Sequence, residues 1–100
     1  MSYRVILQAQ ANEDIDRVLS YLVRHASMDV AARWLTEIEG AVDTLERMPL
    51  RCPIAAESEQ FEHEIRQLLV DPYRILFTIV GREVHVLHVR HASRRTLGES

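Results

Sequence analysis

The chain has 100 residues, 47% of them apolar, with twelve basic and fifteen acidic side chains and a formal net charge of −3. That length suits one domain, 1–100, with a modest core, and the acidic balance argues against a life on nucleic acid backbones. A single cysteine, Cys52, excludes an internal disulfide and a cysteine-based metal site; the lack of a membrane-length apolar run or a signal-peptide pattern predicts a cytoplasmic protein.

Tyr3–Leu7 (YRVIL) is a short β-branched apolar run and reads as a first strand. Ile15, Val18, Leu19 and Leu22 then recur at i, i+3, i+4 and i+7, the stripe of an amphipathic helix over 9–25. Glu13 and Asp14 are expected near its N-terminus, where the dipole favours acids. Ser27 is a suitable N-cap for a second helix over 28–47, with Asp29 in its first turn. Val30, Trp34, Ile38, Ala41 and Leu45 form its stripe, and Gly40 reads as a point of close approach to a neighbouring element. Two helices joined by so few residues predict an antiparallel hairpin. Residues 48–62 (MPLRCPIAAESEQFE) carry two prolines and no period. They read as a loop, long enough to suggest a functional or mobile segment.

Ile65–Val70, Tyr73–Val80 and Glu83–Arg90 read as three strands, separated by Asp71-Pro72 and Gly81-Arg82. Gly as the first central residue of a two-residue loop suits a type II′ hairpin. Tyr73, Ile75, Phe77 and Ile79 fall on one face of the middle strand, and Arg74, Leu76, Thr78 and Val80 on the other. Neither face is polar throughout. The helices can cover only one, so the other needs a cover of its own and is where function is sought. After His91 the pattern gives way to a polar tail, residues 91–100. The order is β-α-α-β-β-β, an α+β fold with a helical hairpin on one face of a small antiparallel sheet. The first strand is expected at an edge or beside the last strand.

The opening YRVILQAQANEDIDRVLSYL, the segment AARWLTEIEGAVDTLERMPLRCP, the strands IRQLLVDPYRILFTIVGREVHVLHVRH and their order resemble the RelE/ParE superfamily of bacterial toxins, over about residues 3–94. The most telling part is an Arg on the second strand, Tyr-Arg opening the third and Arg-His closing the fourth. At Gln8-Ala9 the chain departs from the hydroxyl cap and proline common in that superfamily. The resemblance implies the fold read above and a partner antitoxin whose C-terminal segment wraps the toxin. It implies contact with DNA only through that antitoxin.

The superfamily divides into toxins that cleave mRNA on the ribosome and toxins that inhibit DNA gyrase without cleaving nucleic acid. Cleavage by attack of a 2′-OH needs a proton acceptor, a proton donor and cations on the phosphorane. The matching positions are Arg66, Arg74, Arg90 and His91. The arginines suit a phosphate fork, and histidine is the residue type that moves protons near neutral pH. Set against this, an Arg on a sheet is commonly a salt-bridge residue, with Glu64 or Glu83 as candidate partner. All twelve basic residues are Arg and none is Lys, and the run 57–64 (ESEQFEHE) is acidic, a poor equipment for the phosphate field of a ribosome. The ParE-like reading, gyrase inhibition by binding, is therefore preferred. Ribosome-dependent mRNA cleavage, or an inactive relative acting only in an autorepressing antitoxin complex, are the alternatives. Arg66, Arg74, Arg90, Arg94 and Arg95 are then candidates for contact with target or antitoxin. No cofactor or metal is expected. His85 and His91 should share one side of their strand and His88 the other, so they cannot converge on an ion without a bulge. Trp34 and Tyr21 read as helix-stripe or interface residues.

Overall fold

A computed structural model describes residues 2–93. The order is β1 (Arg4–Leu7), α1 (Ala9–His25), α2 (Met28–Asp43), β2 (Ile65–Val70), β3 (Tyr73–Val80) and β4 (Glu83–His91), with 3₁₀ turns at Thr44–Glu46, Pro49–Arg51 and Ala56–Gln60. The expected β-α-α-β-β-β order holds. The second helix ends at Asp43 rather than 47, because the chain tightens into the first 3₁₀ turn, where Thr44 Oγ1 donates to the Ala41 carbonyl. Leu45 continues the apolar stripe through that turn and is fully buried.

The strand order is β1-β4-β3-β2. β2, β3 and β4 form the antiparallel meander, and β1 lies at the edge beside the last strand as expected, but in parallel to it, so the sheet is mixed rather than the antiparallel one expected. The direction follows from the hairpin. α1 carries the chain onward past β1, and α2 brings it back to the level of Tyr3, whose N–H donates to the Glu46 carbonyl. β2 therefore starts from the same end as β1. Two reversals later β4 runs that way too. The turn after β3 has Gly81 at φ +61 and Val80 paired with Glu83. Arg82 is not at positive φ, which fits the type II′ expectation rather than I′. The Asp71-Pro72 peptide is cis, as in a two-residue turn with proline in second place.

One sheet face packs against the helices. Ile75, Phe77, Val84, Val86 and Val89 meet Ala11, Ile15, Trp34, Ile38 and Val42, with Leu19 and Leu22 half-buried at the margin. Ser27 Oγ accepts the Val30 N–H and caps α2 as expected. Gln8 gives α1 no side-chain cap. Because α1 begins at Ala9, Glu13 and Asp14 lie beyond its first turn and do not serve the dipole there. Asp14 is instead buried, accepting the Val89 N–H at 3.0 Å and Gln10 Nε2 at 2.9 Å, and lying 3.3 Å from His88 Nδ1. β1 ends at Leu7 opposite Val86, so the carboxylate supplies the acceptor that a longer β1 would have supplied to β4. Burial alone would push the Asp14 carboxyl up; the bonds from His88, Gln10 and the Val89 N–H outweigh it and hold the carboxyl below its ordinary range.

Gly40 marks no close approach. It is exposed, and a Cβ built there meets nothing within 4 Å. Gly40→Ala should therefore stabilise the protein by about 0.5–1 kcal/mol through helix propensity and the unfolded chain, read as a raised urea midpoint with an unchanged slope. Asp14→Ala should cost about 1–3 kcal/mol in the same measurement, because it leaves the Val89 N–H without its acceptor.

Candidate functional site

The long segment after α2 is ordered by its contacts with β2. Cys52 packs in the helix-side core, whereas Ala55 packs with Ile65 and Leu76 on the opposite face. Between them the chain crosses the outer edge of β2, where Ile54 bridges Arg66, Gln67 N–H donates to the Pro53 carbonyl and Ala55 N–H to that of Ile65. The segment read as a loop, functional or mobile, is thus the partial cover of the second sheet face. Ser58 Oγ accepts the Ile65 N–H at 2.9 Å and ties the 3₁₀ turn down.

That turn delivers Glu57, which is 0% exposed, to Arg74, itself 7% exposed. Arg74 Nη1 donates to Glu57 Oε1 at 3.0 Å and Nη2 to Oε2 at 2.6 Å, a two-pronged pair, while Nη1 also donates to Gln67 Oε1 at 3.0 Å. Arg90 lies directly across from Arg74 on β4. Burial would raise the Glu57 carboxyl; the bonds from Arg74 and its own backbone N–H, with the charge of Arg90, hold it below the ordinary range. The carboxylate is therefore ionised, bonded to Arg74 and within the field of Arg90, and it relieves the like-charge opposition of a cross-strand Arg pair.

The other expected site residues lie elsewhere. Arg66 pairs across with Phe77, so it is on the helix side, two-faced from Arg74. Its Nη2 meets Glu64 at 2.6 Å and its Nη1 donates to the Cys52 carbonyl at 2.6 Å. Glu64 is thus a partner, as the salt-bridge reading allowed, whereas Glu83 pairs with His85. His91 pairs across with Tyr73 and shares its helix-side face. Its ring lies edge-on to Tyr73 at 5.5 Å, and its Nδ1 accepts the Ser93 N–H. His91 and Arg66 sit opposite Tyr73 and Phe77, four residues apart along β3, or roughly 13 Å at about 3.3 Å per residue. Of the four nuclease candidates only Arg74 and Arg90 come together. Arg94 and Arg95 lie outside the described residues.

A β-bulge overturns the expected histidine parity. Leu76 pairs with His88 and Phe77 with Val86, leaving Leu87 as the extra residue. His85 and His88 consequently share the second face, and His91 turns to the first. Among the described residues no three His, Cys, Asp or Glu side chains gather as a metal site would. Beside the covered half of the second face runs an open groove of about 710 Å³, lined among others by Phe61, Ile65, Thr78, Val80, Leu87 and His88.

A family model described as the ParE toxin of the type II toxin–antitoxin system parDE matches residues 5–96. The chain belongs to the ParE toxin family. No curated protein matches it by sequence. Among solved structures, a chain of the chromosomal ParDE toxin–antitoxin system from P. aeruginosa superposes with a TM-score of 0.76 at 16% identity, over 90% of this chain and 96% of that one. This is a likeness of fold, and it matches the two helices and mixed sheet described above. Membership in a toxin–antitoxin family implies an antitoxin partner.

Of the remaining sequence candidates in this ParE-family chain, Cys52 and Trp34 are buried and Tyr21 is exposed. Cys52 is buried, and burial pushes its thiol up despite the charges of Arg51 and Arg66, which makes it a poor nucleophile. Trp34 is buried edge-on to Tyr73 at 5.3 Å, while Tyr21 is exposed beside His25. Burial and the neighbouring Tyr21 raise the Tyr73 hydroxyl above its ordinary value. Glu57 and Asp14 were the residues that sequence reasoning missed in these roles. The signal for Glu57 was present: an Arg on an apolar strand demands a carboxylate, and the acidic run 57–64 supplies one.

Glu57→Gln should destabilise the protein by about 3–5 kcal/mol, the cost of leaving a buried guanidinium without its counter-charge, measured by chemical denaturation. Glu57 and Asp14 both titrate below their ordinary values in the folded state. Their contribution is complete at neutral pH and is lost as pH falls below about 4, through the lower folded-state values. The acid-unfolding midpoint should accordingly move to higher pH in either variant.

Proposed function

We propose that this chain is the toxin of a type II pair, held inactive by direct contact with its antitoxin, and that it arrests DNA gyrase by binding it. One observation carries the choice against RNA cleavage. Arg66, Arg74, Arg90 and His91 do not converge, since Arg66 and His91 lie on the face opposite the two other arginines and well apart from each other. A phosphorane needs its cations and its proton carrier within hydrogen-bond reach of one group. Arg74 and Arg66 are already committed to Glu57 and Glu64. An inhibitor that works by docking makes no such demand. The groove beside Leu87 and Val80 supports the antitoxin part of the reading, being an apolar stretch of sheet that the chain's own loop leaves uncovered.

His91→Ala is the test. Its partners are Tyr73 and Ser93, so a folded variant should inhibit gyrase supercoiling as the parent does. A nuclease would instead lose about 10²–10⁴-fold in rate on losing a proton carrier, seen by primer extension on translated mRNA. A parent that cuts mRNA, with cutting lost in the variant, overturns the gyrase assignment. A parent that neither inhibits supercoiling nor cuts mRNA points to an inactive relative.

A further inference from the structure

The Arg74–Arg90 pair has the make-up of a ligand site whose occupant comes from the same chain. The two residues are cross-strand neighbours on one face of the sheet, joined at β3 and β4. One of them, Arg74, binds a carboxylate two-pronged, the geometry by which arginine recognises free carboxylates and phosphates, and Arg90 stands directly across the strand from it. Arg74 is also held by Gln67 Oε1 from the neighbouring strand. Its guanidinium therefore keeps an anchor that does not depend on Glu57. The arginines stand on two hydrogen-bonded strands of the sheet, whereas Glu57 arrives on a five-residue 3₁₀ turn. Besides the Glu57–Arg74 pair itself, that turn is fastened to β2 through Ala55 and Ser58. Once that pair is broken, a short turn with so few other bonds opens at lower free energy than the sheet it covers.

We propose that Arg74 and Arg90 form an oxyanion-binding site for a carboxylate or phosphate group, and that Glu57 is its resident occupant. The side chain closes the site, and lifting of the 56–60 turn would open it to an external anion of the same chemistry. This inference does not depend on the gyrase reading. It concerns what the arginine pair binds, whichever target the protein acts on.

The experiment deletes the resident carboxylate and offers a free one. Glu57→Ala in the full chain is melted near neutral pH in sodium chloride, sodium acetate or sodium phosphate at matched ionic strength. The wild type sets the general salting effect of each anion, including the stabilisation that kosmotropic phosphate gives any folded protein. The variant should melt well below it in chloride and regain several degrees in acetate, phosphate or both, and the two arms show which anion shape the site prefers. Should the variant be unfolded in chloride, the same anions should restore its helical circular dichroism. A second variant, Glu57→Ala with Arg90→Leu, should lose most of the regain. The proposal is overturned if Glu57→Ala responds to acetate and phosphate no more than the wild type does, or if the double variant responds as fully as the single one.

Discussion

A charged side chain in the middle of a covered sheet is the constraint on which much of this molecule depends. β3 is flanked by β2 and β4, and five consecutive residues from Arg74 to Thr78 are buried. An unpaired guanidinium there would cost several kcal/mol, on the order estimated for buried ions. The chain meets that demand with Glu57, and the route of the connection follows from it. To reach Arg74 from the end of α2 the backbone must round the edge of β2, and in doing so it satisfies outward-facing groups of that edge at Ile65 and Gln67. A strand edge that would otherwise invite pairing with another chain is thereby partly closed. One ion pair thus accounts for the loop's length, its path and the cover over half of the second face.

At the other side of the sheet the corresponding problem is solved by Asp14. β1 is four residues long against nine in β4, so β4 runs on beyond its neighbour with backbone donors exposed to the core. The carboxylate on α1 takes the Val89 N–H, just past the bulge at Leu87. The bulge returns Val89 to the helix-side core and sends both Leu87 and His88 to the second face. Under strict alternation without the bulge, every side chain from His88 onward would change sides. Arg90 would then leave the face of Arg74. The bulge is therefore what makes the arginine pair.

The helices and strands were legible because each carries a clear period. Ile15, Val18, Leu19 and Leu22 repeat at helical spacing, and Tyr73 to Val80 alternate. Ser27 and Gly81 mark their cap and turn by local chemistry that needs no tertiary context. What stayed hidden depends on contacts distant in sequence. The place of β1 beside β4 was expected, but its parallel direction depends on how the helical hairpin returns the chain. The bulge at Leu87 leaves no composition signal, since Leu at that position fits either parity. Gly40 looked like a packing glycine because an exposed glycine and a crowded one are spelled alike. Glu57 was read as part of an acidic run, a collective property, when its individual role was to meet one arginine seventeen positions away.

The same reasoning bears on what kind of activity this sheet can support. Catalysis on a phosphodiester requires charged groups held in place yet unsatisfied, because their full interaction must be reserved for the transition state. Here Arg74, the most deeply buried of these arginines, is bonded to Glu57 and Gln67, and Arg66 is likewise spent on Glu64 and a backbone carbonyl. His91, which is exposed, stands on the other face of the sheet from the arginine pair. Rigidity and availability have been assigned to different residues. Such a division suits a surface that docks against a partner, where affinity comes from shape and desolvated contacts spread over an area, better than it suits a centre where three groups must meet at one phosphorus. An oxyanion brought to Arg74 and Arg90 would lie across the sheet from His91, the proton carrier of the nuclease pattern, and so would be held without it.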